Sequence, residues 1–265
     1  MIRQLLLGFL FASASAFVSY RVRFLTTGGA VAQWVLGTIL FGIGGWPSAV
    51  PIVAFFLSSS ILSRLWRSRR DDLTPIFQKG SVRDAAQVMA NGGIAAAATI
   101  LWFFTQSESY YAAYLGAVAA ANADTWATEI GTLSRIPPRL ITTLAPVERG
   151  RSGAVTLLGT AAGVAGSTFV AFSAFPFVDN TQLGVFMMAT IGGGVVGMLA
   201  DSLAGATVQA RYWCRICQRF TEKPVHCNAS ADLVGGLPSV TNDGVNLLCT
   251  LSGAVFAFFL HLPAS

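Results

Sequence analysis

A 265-residue chain in which 54% of side chains are hydrophobic and only 11% charged lacks the polar surface of a water-soluble fold, in which about a quarter of residues are charged. Its mean hydropathy of +0.61, with no polar stretch long enough to build a core of its own, excludes a separate soluble domain, so residues 1–265 are expected to form a single transmembrane domain. The net charge of +5 sits between apolar runs and reads first as a topological signal, with no nucleic-acid partner expected.

A membrane-crossing helix needs about 20 mostly apolar residues, because hydrocarbon offers no partner for backbone N–H and C=O groups. Runs of this kind fall near residues 4–20, 29–45, 47–63, 84–104, 109–130, 154–176, 182–206 and 243–262. The second and third are short and separated only by Gly44, Gly45, Trp46 and Pro47. The expected fold is all-α, a polytopic transmembrane helix bundle of about eight spans, with six or seven as the alternative count. Met1 to Tyr20 also has the order of a signal peptide, but the run is long for one, and Arg21 and Arg23 follow it directly, as at the cytoplasmic end of a span.

With eight spans, the loops on one side carry Arg21 and Arg23; Arg64, Arg67, Arg69, Arg70, Lys79 and Arg83; Arg135, Arg139, Arg149 and Arg151; and Arg211, Arg215, Arg219 and Lys223. These are 16 of the 17 Lys and Arg, and only Arg3 falls on the other side. The positive-inside rule then places the four loops in the cytoplasm and both termini outside. A bacterial plasma membrane is the expected location, since no Arg- and Ser-rich transit segment precedes the first span, with a processed organellar chain as the alternative.

The segment 122–131, which begins Asn122-Ala123-Asp124-Thr125-Trp126-Ala127, is echoed by 199–208, which begins Leu199-Ala200-Asp201-Ser202-Leu203-Ala204, and this aligns Asp124 with Asp201 at an offset of 77 residues. Leu157, Leu158, Thr160 and Gly163 recur as Leu247, Leu248, Thr250 and Gly253 at an offset of 90. Order and direction agree, so a parallel repeat of helix, cytoplasmic loop, helix is expected over about 109–176 and 182–262. Chance likeness among Ala, Gly and Leu is the alternative. The longer second copy gains its extra residues in the loop 211–240, which holds Cys214, Cys217, His226 and Cys227. Three thiolates and an imidazole suit a structural zinc, against the alternative of reduced loop cysteines; Cys249 reads as packing.

Asp124, Glu129, Asp201 and Asp243 lie in or beside apolar helices near their cytoplasmic ends, where an unpaired carboxylate costs a few kcal/mol. Amides accompany them at helical spacing: Gln87 with Asn91, Asn122 with Thr125 and Glu129, and Asn242 with Asn246. Interhelical hydrogen bonding accounts for some such residues. Four carboxylates from three helices on one side exceed what that requires and point to a site. Oxygen donors with no histidine nearby suit Mg²⁺, which ordinarily bridges to phosphate oxygens. Arg149-Gly150-Arg151-Ser152-Gly153, just before a helix, reads as an anion cradle.

Several of these segments resemble one membrane family: Ala123 to Gly131, Thr142 to Val147, Gly150 with Ser152 and Gly153, Asp201 to Gln209, and Thr241 to Asn246. It is the phytyl-phosphate kinase and transmembrane protein 19-like family of integral membrane proteins. The likeness runs from about Arg83 to Gly253, which makes 83–265 the family core and 1–70 variable N-terminal helices that match in hydrophobicity alone. Where the family usually has Pro-Gly-Thr, this chain reads Glu148-Arg149-Gly150-Arg151-Ser152. The resemblance implies an Mg²⁺-dependent kinase that moves a phosphoryl group from a nucleoside triphosphate, with CTP favoured, to phytyl or another isoprenyl monophosphate, as in vitamin E biosynthesis. In that reading Asp124, Glu129, Asp201 and Asp243 are catalytic, the first three on Mg²⁺. Arg149, Arg151 and Arg211 face phosphates, and Gln87, Asn91, Asn122, Thr125, Ser152, Gly153, Gln209, Asn242 and Asn246 complete the substrate and nucleotide sites. Partners would be the nucleotide, the isoprenyl monophosphate and membrane lipid, with the oligomeric state left open. The rivals are a transporter of an anion or lipid and a polyprenol kinase acting on the free alcohol.

Overall fold

The computed structural model describes residues 2–66 and 82–262; the basic residues Arg67, Arg69, Arg70 and Lys79 lie outside them. The helices follow the apolar runs to within a few residues: α1 (Ile2–Arg21), α2 (Thr27–Leu65), α3 (Ala85–Thr105), α4 (Glu108–Gly131), α5 (Leu157–Ala174), α6 (Leu183–Thr207) and α7 (Asn242–Leu260). All but α4 are long and apolar enough to cross a membrane, α5 together with the short 3₁₀ turn Phe175–Phe177 that follows it. The protein is thus a multi-pass helical membrane protein.

The two short runs form one 39-residue helix by hydrogen bonding, but α2 reverses at Gly45 (φ 63, ψ −153), a conformation essentially confined to glycine. A straight helix of that length would separate its ends by about 58 Å. Instead Phe24, just before α2, meets Phe56 with ring centroids 6.2 Å apart, and the Arg64 guanidinium lies 5.7 Å from the Phe24 ring. Pro47 sits in the first turn of the returning arm, where a missing N–H costs least, and Pro51 follows one turn later. Pro51 cannot donate to the Pro47 carbonyl four residues back. Tyr111 of α4 does so, its hydroxyl 3.2 Å away, and the Tyr114 hydroxyl donates to the Ser48 carbonyl.

The centre of the bundle is α4, where Tyr111 to Ala123 are buried almost without interruption. Its polar content is tolerated because protein, not lipid, surrounds it. Helices α4 and α6 run side by side in the same direction and in register. A Cβ built on Gly193 would lie 3.1 Å from the Gly116 Cα, one on Gly197 3.4 Å from the Ala120 Cα, and Asp124 faces Asp201. Each pair is 77 residues apart, the offset of the first sequence echo. Glycines let α7 close on both, since a Cβ on Gly253 would lie 2.6 Å from the Gly116 oxygen and 2.8 Å from the Gly193 oxygen.

The basic loops gather at one end of the bundle. Two of them carry short antiparallel strands that the sequence reading treated as plain loop. Strands β1 (Arg139–Leu140) and β2 (Ala154–Val155) pair between α4 and α5. Between α6 and α7, β3 (Arg211–Cys214) pairs with β4 (Arg219–Thr221) and β7 (Asp232–Gly235), and β5 (Val225–His226) with β6 (Ala229–Ser230). A connection of this length must satisfy its own backbone groups, and hairpins do so locally.

Candidate functional site

At that same end the bundle opens into a polar cavity of about 360 Å³. Helix α4 contributes Asp124, Thr125 and Glu129 to its wall, and α6 contributes Asp201 and Ser202. The first turns of α3 bring Gln87 and Asn91, Arg83 lies just before that helix, and α7 brings Asn242 and Asn246. The segment before β2 supplies Arg149, Arg151, Ser152 and Gly153, while Gln209 and Glu222 close the rim. Three helices, α3, α5 and α7, start here, so their positive dipole ends converge on one space. The α7 cap residue Thr241 makes no side-chain bond to the first turn.

The carboxylates are close to one another. Asp124 and Asp201 lie within hydrogen-bonding reach across the α4–α6 seam, and Asp124 also feels Glu129. The Asp201 Oδ2 is buried and makes no hydrogen bond among the described residues. Glu129 is buried, accepts from the Ser63 hydroxyl at 2.7 Å and interacts electrostatically with Arg83. Oxygen donors of this number, with like charges in contact and no histidine in the cavity lining, fit a hard divalent cation. Arg83 is fixed by its backbone, donating to Phe24 and accepting from Thr26 at 3.0 Å each, and its guanidinium lies 5.7 Å from the Phe55 ring. Burial pushes its pKa down to about 10, against Glu129, which acts to raise it, so the group stays cationic at neutral pH.

Thirteen of the sixteen site residues read from the sequence line this cavity. Three do not. Asn122, one turn deeper on α4, is fully buried, accepts from Ser58 and Ser59 and donates to the Gly166 carbonyl, which makes it a packing residue. Asp243 lies off the Asn242–Asn246 face of α7 by one helical step, and Arg211 of β3 packs against Gly235 of β7. The expected glycine cradle is also built differently. Gly153 (φ 76) is wedged against Ala206 of α6, the Ser152 hydroxyl donates to Glu222 at 2.7 Å, and β2 intervenes before α5. Arg149 donates to the Ser134 carbonyl at 2.6 Å, and Arg151 lies 5.6 Å from the Phe220 ring. Gln87 closes a capping box with Asp84, and Asn91 donates to the Gln87 carbonyl at 2.9 Å. Sequence reasoning missed Arg83, Ser63 and Glu222 as cavity residues. A signal for Arg83 was its position at the start of the family resemblance; Glu222 had none.

A second cavity, of about 380 Å³, adjoins the first. It lies between α1, both arms of α2 and α3, and is lined by side chains such as Phe11, Leu36, Leu40, Ile52, Phe55 and Phe56. Arg83, Gln87 and Asn91 belong to both walls.

The family described as "Integral membrane protein DUF92" matches residues 10–254. The chain is 31% identical to Protein PGR of Arabidopsis thaliana over 94% of its own length and 93% of that protein's. It is 29% identical to an uncharacterized membrane protein of Methanocaldococcus jannaschii, covering 94% and 96%, and 27% identical to one of Synechocystis, covering 91% and 84%. No solved structure matches. These findings bear out the family resemblance carried by the motifs from Arg83 to Gly253. With nearly its whole length matched, the chain belongs to the DUF92 family of integral membrane proteins.

Proposed function

We propose that the protein is a membrane-embedded isoprenyl-phosphate kinase that transfers the γ-phosphoryl group of a nucleoside triphosphate, with CTP as the favoured donor, to an isoprenyl monophosphate. An oxygen of the monophosphate attacks the γ-phosphorus, the bond to the β-phosphate oxygen breaks, and the diphosphate and a nucleoside diphosphate leave. The observation that supports this most is the pairing of chambers. A polar cavity rich in carboxylates and arginines meets an almost wholly apolar one through Arg83, Gln87 and Asn91. An acceptor with an anionic head and a hydrocarbon tail has that division, and Arg83 sits where head meets tail.

Asp124, Glu129 and Asp201 would hold Mg²⁺, which supplies charge neutralisation on the donor phosphates. Arg149 and Arg151 face the donor, and the converging N-termini of α5 and α7 favour anions. No general base is needed, because a phosphate monoester is already an anionic nucleophile. In this reading the chain crosses the membrane eight times, α2 twice and α4 once, with the polar cavity on the cytoplasmic side, where nucleotides are. The parallel repeat would have brought Asp124 and Asp201 together.

The test is label transfer from γ-labelled CTP, UTP, GTP and ATP to phytyl monophosphate, geranylgeranyl monophosphate and phytol, with detergent-purified protein and Mg²⁺. Mg²⁺-dependent label on a monophosphate is the expected result. Label on phytol alone would make it a polyprenol kinase. No transfer by folded protein would turn the reading to transport.

A further inference from the structure

The segment between α6 and α7 is a small structure with almost no interior. Within residues 211–235 only Cys214 and Thr221 are buried, while Ile216, Val225 and Val234 are exposed. Apolar burial therefore does not hold its two small sheets together. Two tight turns do meet there. The β3–β4 turn carries Cys214 and Cys217, closes with Gln218 at φ 52, and has the Gln218 N–H donating to the Cys214 carbonyl at 2.9 Å. The β5–β6 turn carries His226 and Cys227. Its central residues Cys227 and Asn228 both have positive φ, 51 and 58, the geometry of a type I′ turn. Asn or Gly ordinarily fills the first of those positions, so a cysteine there is held in a disfavoured conformation.

The geometry points to one zinc ion bound by Cys214, Cys217, His226 and Cys227, and to that ion as what fixes Glu222 at the polar cavity. The four ligand atoms all lie within 4.8 Å of one another. The His226 Nδ1 is 3.5 Å from the Cys217 Sγ and 3.3 Å from the Cys227 Sγ. Tetrahedral zinc with bonds of about 2.3 Å to sulfur and about 2.0 Å to nitrogen sets S···N edges at roughly 3.5 Å. All four cysteines of the chain are free, and the fourth, Cys249, is buried in α7 away from this cluster. Three thiolates and an imidazole form a closed set that suits a structural ion.

Glu222 stands between the two pairs of ligands, one residue past β4 and four before His226. Its Oε1 accepts from Ser152 at 2.7 Å and from Gln209 Nε2 at 2.9 Å. A metal that locks the two turns together sets the position of that carboxylate. It ties the Arg149–Gly153 segment to the end of α6. This inference is independent of the kinase reading, since it concerns the metal and the loop alone.

Elemental analysis of the detergent-purified chain should find about one zinc per molecule. The Cys214→Ser/Cys217→Ser variant should lose it, and Cys249→Ser should retain it. Chelation of the parent should raise amide hydrogen exchange across residues 211–235 and at 149–153, with α4 to α7 unchanged. Parent protein without stoichiometric zinc, or with iron in its place, overturns the site, as does zinc retained in the double variant. Unchanged exchange at 149–153 on chelation overturns the link to the cavity. If the double variant fails to fold, zinc content and chelation of the parent still decide both points.

Discussion

Two carboxylates that touch inside a bundle repel unless a proton or a cation lies between them. That fixes the sign of a test on Asp124 and Asp201. If the pair is a cation site, Asp124→Asn or Asp201→Asn removes the repulsion and the variant melts no lower than the parent without Mg²⁺. Phosphoryl transfer should nonetheless fall by about 10²-fold or more, and the rise in Tm that Mg²⁺ gives the parent should vanish. A variant that melts several degrees lower without Mg²⁺ and keeps its turnover would make the pair interhelical glue. Arg83 has a different signature, because it stands at the junction of the two chambers. Arg83→Ala should raise KM for the lipid phosphate about tenfold, or about 1.4 kcal/mol, and leave KM for the nucleotide nearly unchanged; an equal loss for both substrates would remove it from the acceptor site. Acidic residues and amides inside apolar helices were legible in the sequence because lipid makes them costly. Arg83 and Glu222 were not, since a charge in a loop is ordinarily solvated, and Asn122 misled because a buried amide satisfied by Ser58, Ser59 and Gly166 has the same sequence pattern as one that binds a ligand.

Among the elements, the helices were legible for the reason that hydrocarbon enforces them: an apolar run must satisfy its backbone internally. The reversal in α2 was visible too, as Gly44-Gly45-Trp46-Pro47 between two short runs. What the sequence did not carry was how the reversal is held, by Tyr111 and Tyr114 donating to the carbonyls of Pro47 and Ser48. Gly45→Ala forces a Cβ into a backbone region that suits glycine alone, and should cost about 1–3 kcal/mol, seen as a lower melting midpoint in detergent. Gly184→Ala is the control, because a Cβ there meets nothing within 4 Å. Equal midpoints for the two variants would mean that the reversal adapts without strain. The strands between α6 and α7 were illegible because two- to four-residue pairings lack a hydrophobic period.

At the scale of the molecule, the apolar cavity escaped sequence reading altogether, since a side chain facing lipid and one facing an internal apolar space have the same composition. The polarity of the two ends did not. Arg64 donates to the Val22 carbonyl at 3.4 Å, Arg83 bridges to Leu25, and Arg149, Arg151 and Glu222 share a cavity with Arg83, which gathers the four basic loops at one end. The other end holds Pro47 beside Tyr111, and His261 beside Gln182 and Ser109. An excess of Lys and Arg in short loops marks the cytoplasmic side, and a nucleotide-dependent cavity requires that same side, so one measurement bears on both. Asp179 lies exposed between α5 and α6 at the far end, and Thr143 lies exposed in the loop between α4 and α5 at the basic end. In intact cells expressing the protein, Asp179→Cys should react with a membrane-impermeant maleimide above the parent's background. Thr143→Cys should react only after permeabilisation. The opposite pattern would leave the polar cavity facing outward, away from nucleoside triphosphates, and a kinase working from that face would have no donor.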